Sequence, residues 1–457
     1  MLLTLLLTGC ASGPHKGGLR EVEALVGARL PLPIAWVQGS AEDSSARAYA
    51  RTALRGEVAA DTAVRVALLR NRHLQAAFEE LGIAQADVVQ AGLFANPVLA
   101  GDRLRPTIGG GTGLQLLGLT VPFLDMLKAP LRRRVAASAF AATRARVAAS
   151  VIDLVALVRV SYVQAQATGQ MQELRETVLR ATEASATAAQ ALRDAGNLSE
   201  YDVSLEKGFA ADARLALLSA EAERRAARAE LTRVLGTGAD TAWHVTPRLE
   251  PATDTLPTAR DLAVLARARR LDLQAAFFDV EAAGRLAGFT RAFAVLPDGT
   301  IGVAQEQDPD GTFRGVSASF ELPLFDRGQA RLSRAQAQFR QARARHDALA
   351  VDISAEVEQL AARLDAARAR VDHLRRTVLP LRQRVVAESQ RFVNAMAQSV
   401  FTLLLAKQAE IDAGQAYVEA LRDYWTVRAQ LERAVGGSLA PLTALERDAG
   451  ATDARNF

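Results

Sequence analysis

Residues 329 to 379 contain neither glycine nor proline. The run continues to about 392, and a companion run covers about 131 to 193. A helix of roughly 60 residues at about 1.5 Å per residue would reach about 90 Å, well beyond the width of a compact domain. Such a helix must pack sideways on others like it. The packing seam can be read in the second run. Leu332, Ala335, Phe339, Ala342, Leu349, Ile353, Val357, Leu360, Leu364, Ala367, Val371, Leu374, Val378 and Leu381 follow steps of mostly three and four, the coiled-coil spacing. Leu349, Ile353 and Val357 take two successive steps of four, a stutter that relaxes left-handed supercoiling.

The two runs belong to an internal repeat with an offset of about 200 residues. Leu74-Gln-Ala-Ala-Phe78 recurs as Leu273-Gln-Ala-Ala-Phe277, and Val121-Pro-Phe-Leu-Asp125 as Leu322-Pro-Leu-Phe-Asp326. Ser199, Leu205 and Lys207 recur as Ser399, Leu405 and Lys407; Ala229, Leu231, Arg233 and Gly236 recur as Ala429, Leu431, Arg433 and Gly436. Four landmarks in one order are hard to obtain by chance.

Each half reads alike. A helix (59–93, 259–288) precedes two extended segments around a Gly/Pro/Asp-rich turn. These are 97–104 and 114–121 in the first half, 300–306 and 313–322 in the second. Val316, Ala318 and Phe320 alternate with Ser317, Ser319 and Glu321, the two-sided pattern of a barrel strand or of a soluble hairpin with one buried face. Pro122 with Asp125, and Pro323 with Asp326, then form strand–helix corners, the aspartates being placed to help start the long helices. A turn and a returning helix follow, ending at Gly236 or Gly436 as C-caps. Two hairpins give four strands per chain, too few to close a barrel, and open edges are not tolerated in lipid. Three copies would supply a closed barrel of twelve strands. The expected fold is mainly α, with a small membrane β-barrel contribution and an internal twofold repeat.

The chain resembles the outer-membrane efflux protein family, the TolC type, over about 59 to 437. The resemblance is carried by the repeat, the two corners, and the stretches Ala195-Gly-Asn-Leu-Ser-Glu-Tyr-Asp-Val203 and Leu322-Pro-Leu-Phe-Asp-Arg-Gly-Gln329. It implies a homotrimeric channel whose long coiled-coil helices form a periplasmic tunnel. It also implies docking on a periplasmic adaptor and an inner-membrane pump, for passive export of small molecules such as drugs or heavy-metal cations. The helix turns would then form the periplasmic tip, gate and adaptor contact, with Gly196, Ser199, Asp202 and Glu206 in the first half and Ser399, Thr402 and Leu405 in the second. Relatives often carry acidic side chains at the second tip. Thr402 and Leu405 stand at the matching positions here, which leaves Asp202 and Glu206 to supply charge. Their bland reading is as exposed helix-start carboxylates favoured by the helix dipole.

Leu7-Thr-Gly-Cys10 resembles a bacterial lipobox, with the only cysteine where lipidation needs it. Ala11 after it points, by resemblance, to the outer membrane. Residues 1–10 are thus expected to be a lipoprotein signal and 11–58 an extended tether with little regular structure. The first repeat covers 59–236, a linker 237–258, the second repeat 259–437, and a flexible tail 438–457.

Other classes are poorly supported. Aromatic residues are 5% of the chain and 55 basic residues nearly balance 51 acidic ones, so neither an enzyme core nor a nucleic-acid footprint is suggested. Arg132, Arg133 and Arg134 read as a solvated face. No apolar stretch of about 20 residues suggests a spanning helix. His15, His73, His244, His346 and His373 are scattered, without ligand spacing, so no metal site or cofactor is expected. No nucleophile–base set is evident. Gly109-Gly-Gly-Thr-Gly113 lacks a phosphate loop's Gly-Lys ending and reads as an extracellular turn. Phe94, Phe123, Phe313, Phe320 and Phe325 are the candidates for an interfacial aromatic belt. Two rival functions stay open: the outer duct of a protein-secretion system, and a lipid-tethered periplasmic coiled-coil scaffold without a pore. Phe320→Arg would impair membrane assembly of a pore and leave a scaffold intact.

Overall fold

The computed structural model describes residues 17–38, 41–105, 107, 113–238, 242–252, 257–294, 299–308 and 310–439. The described residues form two compact units. The first takes residues up to Val22, Ala77–Ala148 and Leu271–Val351; the second takes Glu23–Ala76, Ala149–Arg270 and the chain from Asp352 onward. In chain order the elements are α1 Leu19–Gly27, α2 Ala41–Ala53, β1 Gly56–Val58, α3 Ala60–Arg70, α4 Arg72–Gly92, β2 Val98–Leu104, β3 Leu114–Val121, α5 Phe123–Asp194 and α6 Glu200–Leu235. Then come β4 Trp243–Val245, α7 Ala259–Arg269, α8 Leu271–Ala292, β5 Gly299–Asp308, β6 Gly311–Phe320 and α9 Gln329–His373. A π turn at Leu374–Val378 leads into α10 Leu379–Asn394 and α11 Val400–Ala434.

The first unit holds one antiparallel sheet in the order β2-β3-β5-β6. Its strands all begin and end within two residues of the sequence expectation, β5 running on to Asp308. The Asp308 carboxylate accepts from the backbone N–H groups of Asp310 (2.9 Å) and Gly311 (2.8 Å), an Asx turn that reverses the chain into β6.

The second unit is helical apart from the parallel pair β1–β4, which joins Gly56 to Trp243 and Val58 to Val245. Tyr162 anchors this pair to α5, donating to the Val58 carbonyl (2.8 Å) and accepting from the Thr246 amide (3.1 Å). Burial holds its hydroxyl above the usual phenol range. Leu68, Leu231, Leu235, Leu262, Leu364 and Leu431 are among the largest fully buried side chains, each worth about 1.5–3 kcal/mol of burial. On the expected seam, Ile353, Val357, Leu360, Leu364 and Val371 are buried, whereas Leu381 is exposed.

Several expectations need correction. The 11–58 segment is not a plain extended tether, since α1, α2 and β1 lie in it. Val22, Val26, Leu30 and Trp36 are buried, an apolar set that its glycines and prolines obscure. The helix expected over 59–93 breaks at Asn71, and its counterpart breaks at Arg270, each with extended backbone (φ −62°, ψ 118° and φ −63°, ψ 119°). α5 starts at Phe123 rather than about 131 and runs through Pro130, at the cost of one backbone hydrogen bond. α5 also contains one 18-residue window apolar enough to cross a membrane, but 61% of that window is buried in the protein, as befits a core helix. Arg132 is not a solvated face residue, because it is drawn onto Asp125.

The two break points are matched. Asn71 donates its side-chain amide to the Val234 carbonyl (2.8 Å), and Arg270 reaches the Ala434 carbonyl (3.3 Å). Beside them, Gly236 and Gly436 end α6 and the α11 turn with φ of 67° and 81°. A Cβ on Gly236 would lie 2.4 Å from the Arg70 carbonyl oxygen, and one on Gly436 3.0 Å from that of Arg269. Both glycines are therefore required twice, by a left-handed backbone and by the close approach of another chain segment.

Candidate functional site

Two regions answer to the sequence candidates: the sheet with its corners, and the helix turns.

The register sorts the sheet residues by face, because alternate side chains point oppositely. Leu99 pairs with Leu119, Leu119 with Val303, and Val303 with Val316. With Leu117, Ile301 and Phe320 they share one face, and all of them are exposed. The row one step along, on the opposite face, is Ala100, Gly118, Ala304 and Gly315. Charges are sorted too. Asp102 and Glu306 fall on the small-residue face, Arg103 and Arg314 on the apolar face. Among the described residues, the outer strands β2 and β6 each pair on one side only. Phe320 packs edge-on against Phe123, ring centres 6.2 Å apart. Phe313 pairs with Glu306 and so lies on the face away from Phe320, which removes it from any belt shared with Phe320.

The corners differ although their sequences match. Pro122 directly precedes α5, and Asp125 stands in the helix's first turn, favoured there by the dipole. Its carboxylate takes a two-pronged contact from Arg132, the second prong at 3.0 Å. The same guanidinium reaches the Leu93 carbonyl (3.3 Å), so it ties the end of α4 to the start of α5 around β2. That contact, with the Ala95 N–H, holds the Asp125 carboxyl below the usual carboxylate range. After Pro323 the chain stays irregular until α9 begins at Gln329. Asp326 accepts from the Gly328 N–H (2.7 Å), and Gly328 has φ 77°, so this aspartate shapes a loop and does not enter a helix. Leu322, Leu324 and Phe325 stand exposed on the loop.

At the first helix turn, Gly196 (φ 80°) donates to the Arg193 carbonyl (2.7 Å) and Asn197 to that of Leu192 (2.8 Å), the double closure of a Schellman turn. Ser199 caps α6, accepting from the Asp202 N–H (3.2 Å), and its hydroxyl donates to the Asp202 carboxylate (2.5 Å). Asp202 is thereby engaged by the N-cap serine through both its backbone N–H and its carboxylate. Glu206 accepts from Ser185 of α5 at 2.5 Å. At the second turn, Met396 and Ala397 close back on Val393 and Phe392. Ser399 caps α11 through the Phe401 N–H (3.2 Å). Thr402 and Leu405 are exposed. Farther from the turns, α5, α6 and α11 meet at Val178, Leu179, Ala213, Leu217 and Ile411.

The structure therefore brings together Ser199 with Asp202, Asp125 with Arg132, and Glu206 with Ser185. The last two partners were not anticipated. Arg132 was hidden in a triple-arginine run, and nothing marks Ser185 by spacing. Cys10 and most of the 106–113 turn lie outside the described residues. No group of three or more candidate metal ligands occurs among the described residues.

Residues 262–437 match the family described as Outer membrane efflux protein. No curated protein matches the chain by sequence. Among solved structures, the chain is similar to a membrane protein from Pseudomonas aeruginosa (TM-score 0.70, 20% identity, 82% of this chain and 93% of that one). It is similar to the outer-membrane channel OprN (TM-score 0.69, 18% identity, 91% and 96%). It is also similar to the outer membrane protein VceC from Vibrio cholerae (TM-score 0.66, 19% identity, 83% and 96%). At these identities the likeness is one of fold, and it extends over both halves of the chain.

Proposed function

We infer, from the match of residues 262–437 to the outer membrane efflux protein family, that this chain is the outer-membrane channel of a tripartite efflux system. The observation that carries the reading is the sheet. Four strands with two edges unpaired among the described residues expose a band of large apolar side chains on one face, while the other carries the Ala100, Gly118, Ala304, Gly315 row with Asp102 and Glu306, interspersed with Val98, Leu104, Leu116 and Phe313. In water such a surface would aggregate. In a bilayer, three copies can join β6 of one to β2 of the next and close twelve strands. Leu99, Leu119, Val303 and Val316 would then face lipid, and the Ala100–Gly315 row would leave an open lumen. Small side chains in that row suit a duct.

The helices would extend the duct through the periplasm. The turns at Gly196–Asp202 and Ser399–Leu405 would form its tip, where an adaptor docks and helices spread to open it. The route is passive, and an inner-membrane pump supplies the energy. Cys10 would carry the lipid anchor. Small molecules, drugs or heavy-metal cations, are the cargo class.

The test is reconstitution of the full-length protein, extracted from outer membranes in mild detergent, into planar bilayers, with native mass spectrometry of the same preparation. A trimer with acyl mass on Cys10 and a stepwise conductance is expected. A monomer without conductance would overturn the channel, whereas an unlipidated conducting trimer would remove the anchor alone.

A further inference from the structure

Beyond the apolar band, the outward face of the sheet changes character. The next two rows read Gly101, Leu117, Gln305, Arg314, then Arg103, Gln115, Gln307, Thr312. Gln305 and Gln307 lie two and four residues beyond Val303, about 7 and 13 Å along the strand, so these rows run from the edge of the apolar band toward the headgroups. The carboxylates of this region, Asp102 and Glu306, are turned to the opposite face by the alternation. Neither Arg103 nor Arg314 has a carboxylate within salt-bridge distance among the described residues. The Arg314 Nε–H is oriented by the Gln305 side-chain oxygen at 2.9 Å. Where Gly101 leaves the row without a side chain, an open recess of about 250 Å³ has Gly101, Asp102, Arg103, Gln115, Gln305 and Gln307 in its lining, with the Asp102 side chain directed to the opposite face by the alternation.

We propose that this recess and the two arginines beside it dock the phosphate of membrane lipid headgroups. A guanidinium matches phosphate geometry two-pronged, and amide N–H groups complete its shell. Zwitterionic headgroups would gain less, because their own cation meets the arginines. Arg103 on β2 and Arg314 on β6, three strands apart, each face outward past the apolar band, and phosphate supplies a counter-charge to each. The proposal rests on the barrel reading of the sheet.

The experiment uses the full-length trimer equilibrated with phosphatidylcholine vesicles doped with phosphatidic acid, and native mass spectrometry counts the lipids retained. Wild type should retain phosphatidic acid over phosphatidylcholine by about fivefold or more, the scale of one charge-assisted hydrogen bond. Arg103→Gln with Arg314→Gln should abolish the preference. Glu306→Gln, on the other face and outside the recess, should keep it. If the double arginine variant fails to assemble, the single variants are read instead, and each should lower the preference. No preference in wild type, or one unchanged by the arginine variants, overturns the proposal. Planar-bilayer conductance of the same protein separates the two readings. A conducting trimer without lipid preference sinks only this proposal, and a protein that neither conducts nor forms trimers sinks the channel.

Discussion

Asn71 donates its side-chain amide to the carbonyl of Val234 at 2.8 Å, across 163 positions of sequence. It also accepts from the Leu74 N–H at 3.0 Å, so one buried side chain restarts α4 and satisfies a carbonyl at the end of α6. Asn71→Ala should lower unfolding stability by about 1–3 kcal/mol, since both backbone groups would be left unmet. Chemical denaturation in detergent measures it. Arg270 plays the matching part at Ala434 but also pairs with Glu356 at 2.7 Å, so Arg270→Ala should cost as much or more.

Gly236 and Gly436 should not be equally sensitive. Alanine at Gly236 meets both a left-handed backbone and the Arg70 carbonyl oxygen at 2.4 Å; at Gly436 the nearest approach is 3.0 Å. Gly236→Ala should cost more than about 2 kcal/mol, and Gly436→Ala less. Thermal scans of the two variants side by side decide this.

Met396 has φ 57° and stands 94% exposed at the second helix turn, where the first turn has Gly196. A left-handed backbone costs a non-glycine residue about 1–2 kcal/mol, and glycine's greater freedom in the unfolded chain offsets part of that gain. Met396→Gly should therefore stabilise the turn by up to about 1 kcal/mol. Slower amide hydrogen exchange around residues 392–400 is the readout, and faster exchange would count against it.

The Asp125–Arg132 pair makes stability depend on acid. Its folded carboxyl titrates below the usual aspartate value of about 3.9. The stabilisation is therefore fully present above that value and is lost as pH falls through the lower, folded one. Asp125→Asn should flatten the fall in stability below about pH 4 and change little of it near neutrality beyond the loss of the pair itself. Denaturation curves for both proteins across that range test the sign.

Val316 and Ser317 are neighbours on opposite faces of β6. Val316→Arg should impair membrane assembly by about 2–4 kcal/mol if it lies near the bilayer midplane, while Ser317→Arg in the lumen should assemble. Val316 is a cleaner probe than Phe320, whose ring also touches Phe123. Yields of trimer in the outer-membrane fraction give the comparison.

The strands were legible because alternation at Val316–Phe320 and turns rich in Gly, Pro and Asp are local signals. The two glycine caps were legible for the same reason. The breaks at Asn71 and Arg270 were not, because no glycine or proline marks them. They exist because distant carbonyls, at Val234 and Ala434, reward a side chain that stops the helix. The helices of the N-terminal segment were masked by its glycines and prolines, although Val22 and Val26 already hold a four-residue spacing. Matching letters at the two corners misled in one respect, since Gly328 delays α9 where nothing delays α5. The pairing of Arg132 with Asp125 needs an i, i+7 reach that charge counting ignores. At the helix turns, Ser199 and Asp202 were singled out by the repeat and the resemblance, whereas the cap that joins them and the bond of Glu206 to Ser185 depend on the geometry of the turn and on how two helices face each other.

The π turn at Leu374–Val378 has a consequence for chain length. There the Leu379 N–H reaches back to the Leu374 carbonyl, so the loop holds one residue more than an α turn. That wider turn also makes room for the ring of Pro380, which would strike a carbonyl in a regular helix. One residue corresponds to about 100° of helical rotation, so α10 is dialled around its own axis relative to α9 without a visible gap. α5, unbroken from Phe123 to Asp194, has no such slack. An insertion has in effect been stored as rotation, and a single deletion between Leu374 and Val378 would undo that rotation and drive the Pro380 ring onto a backbone carbonyl.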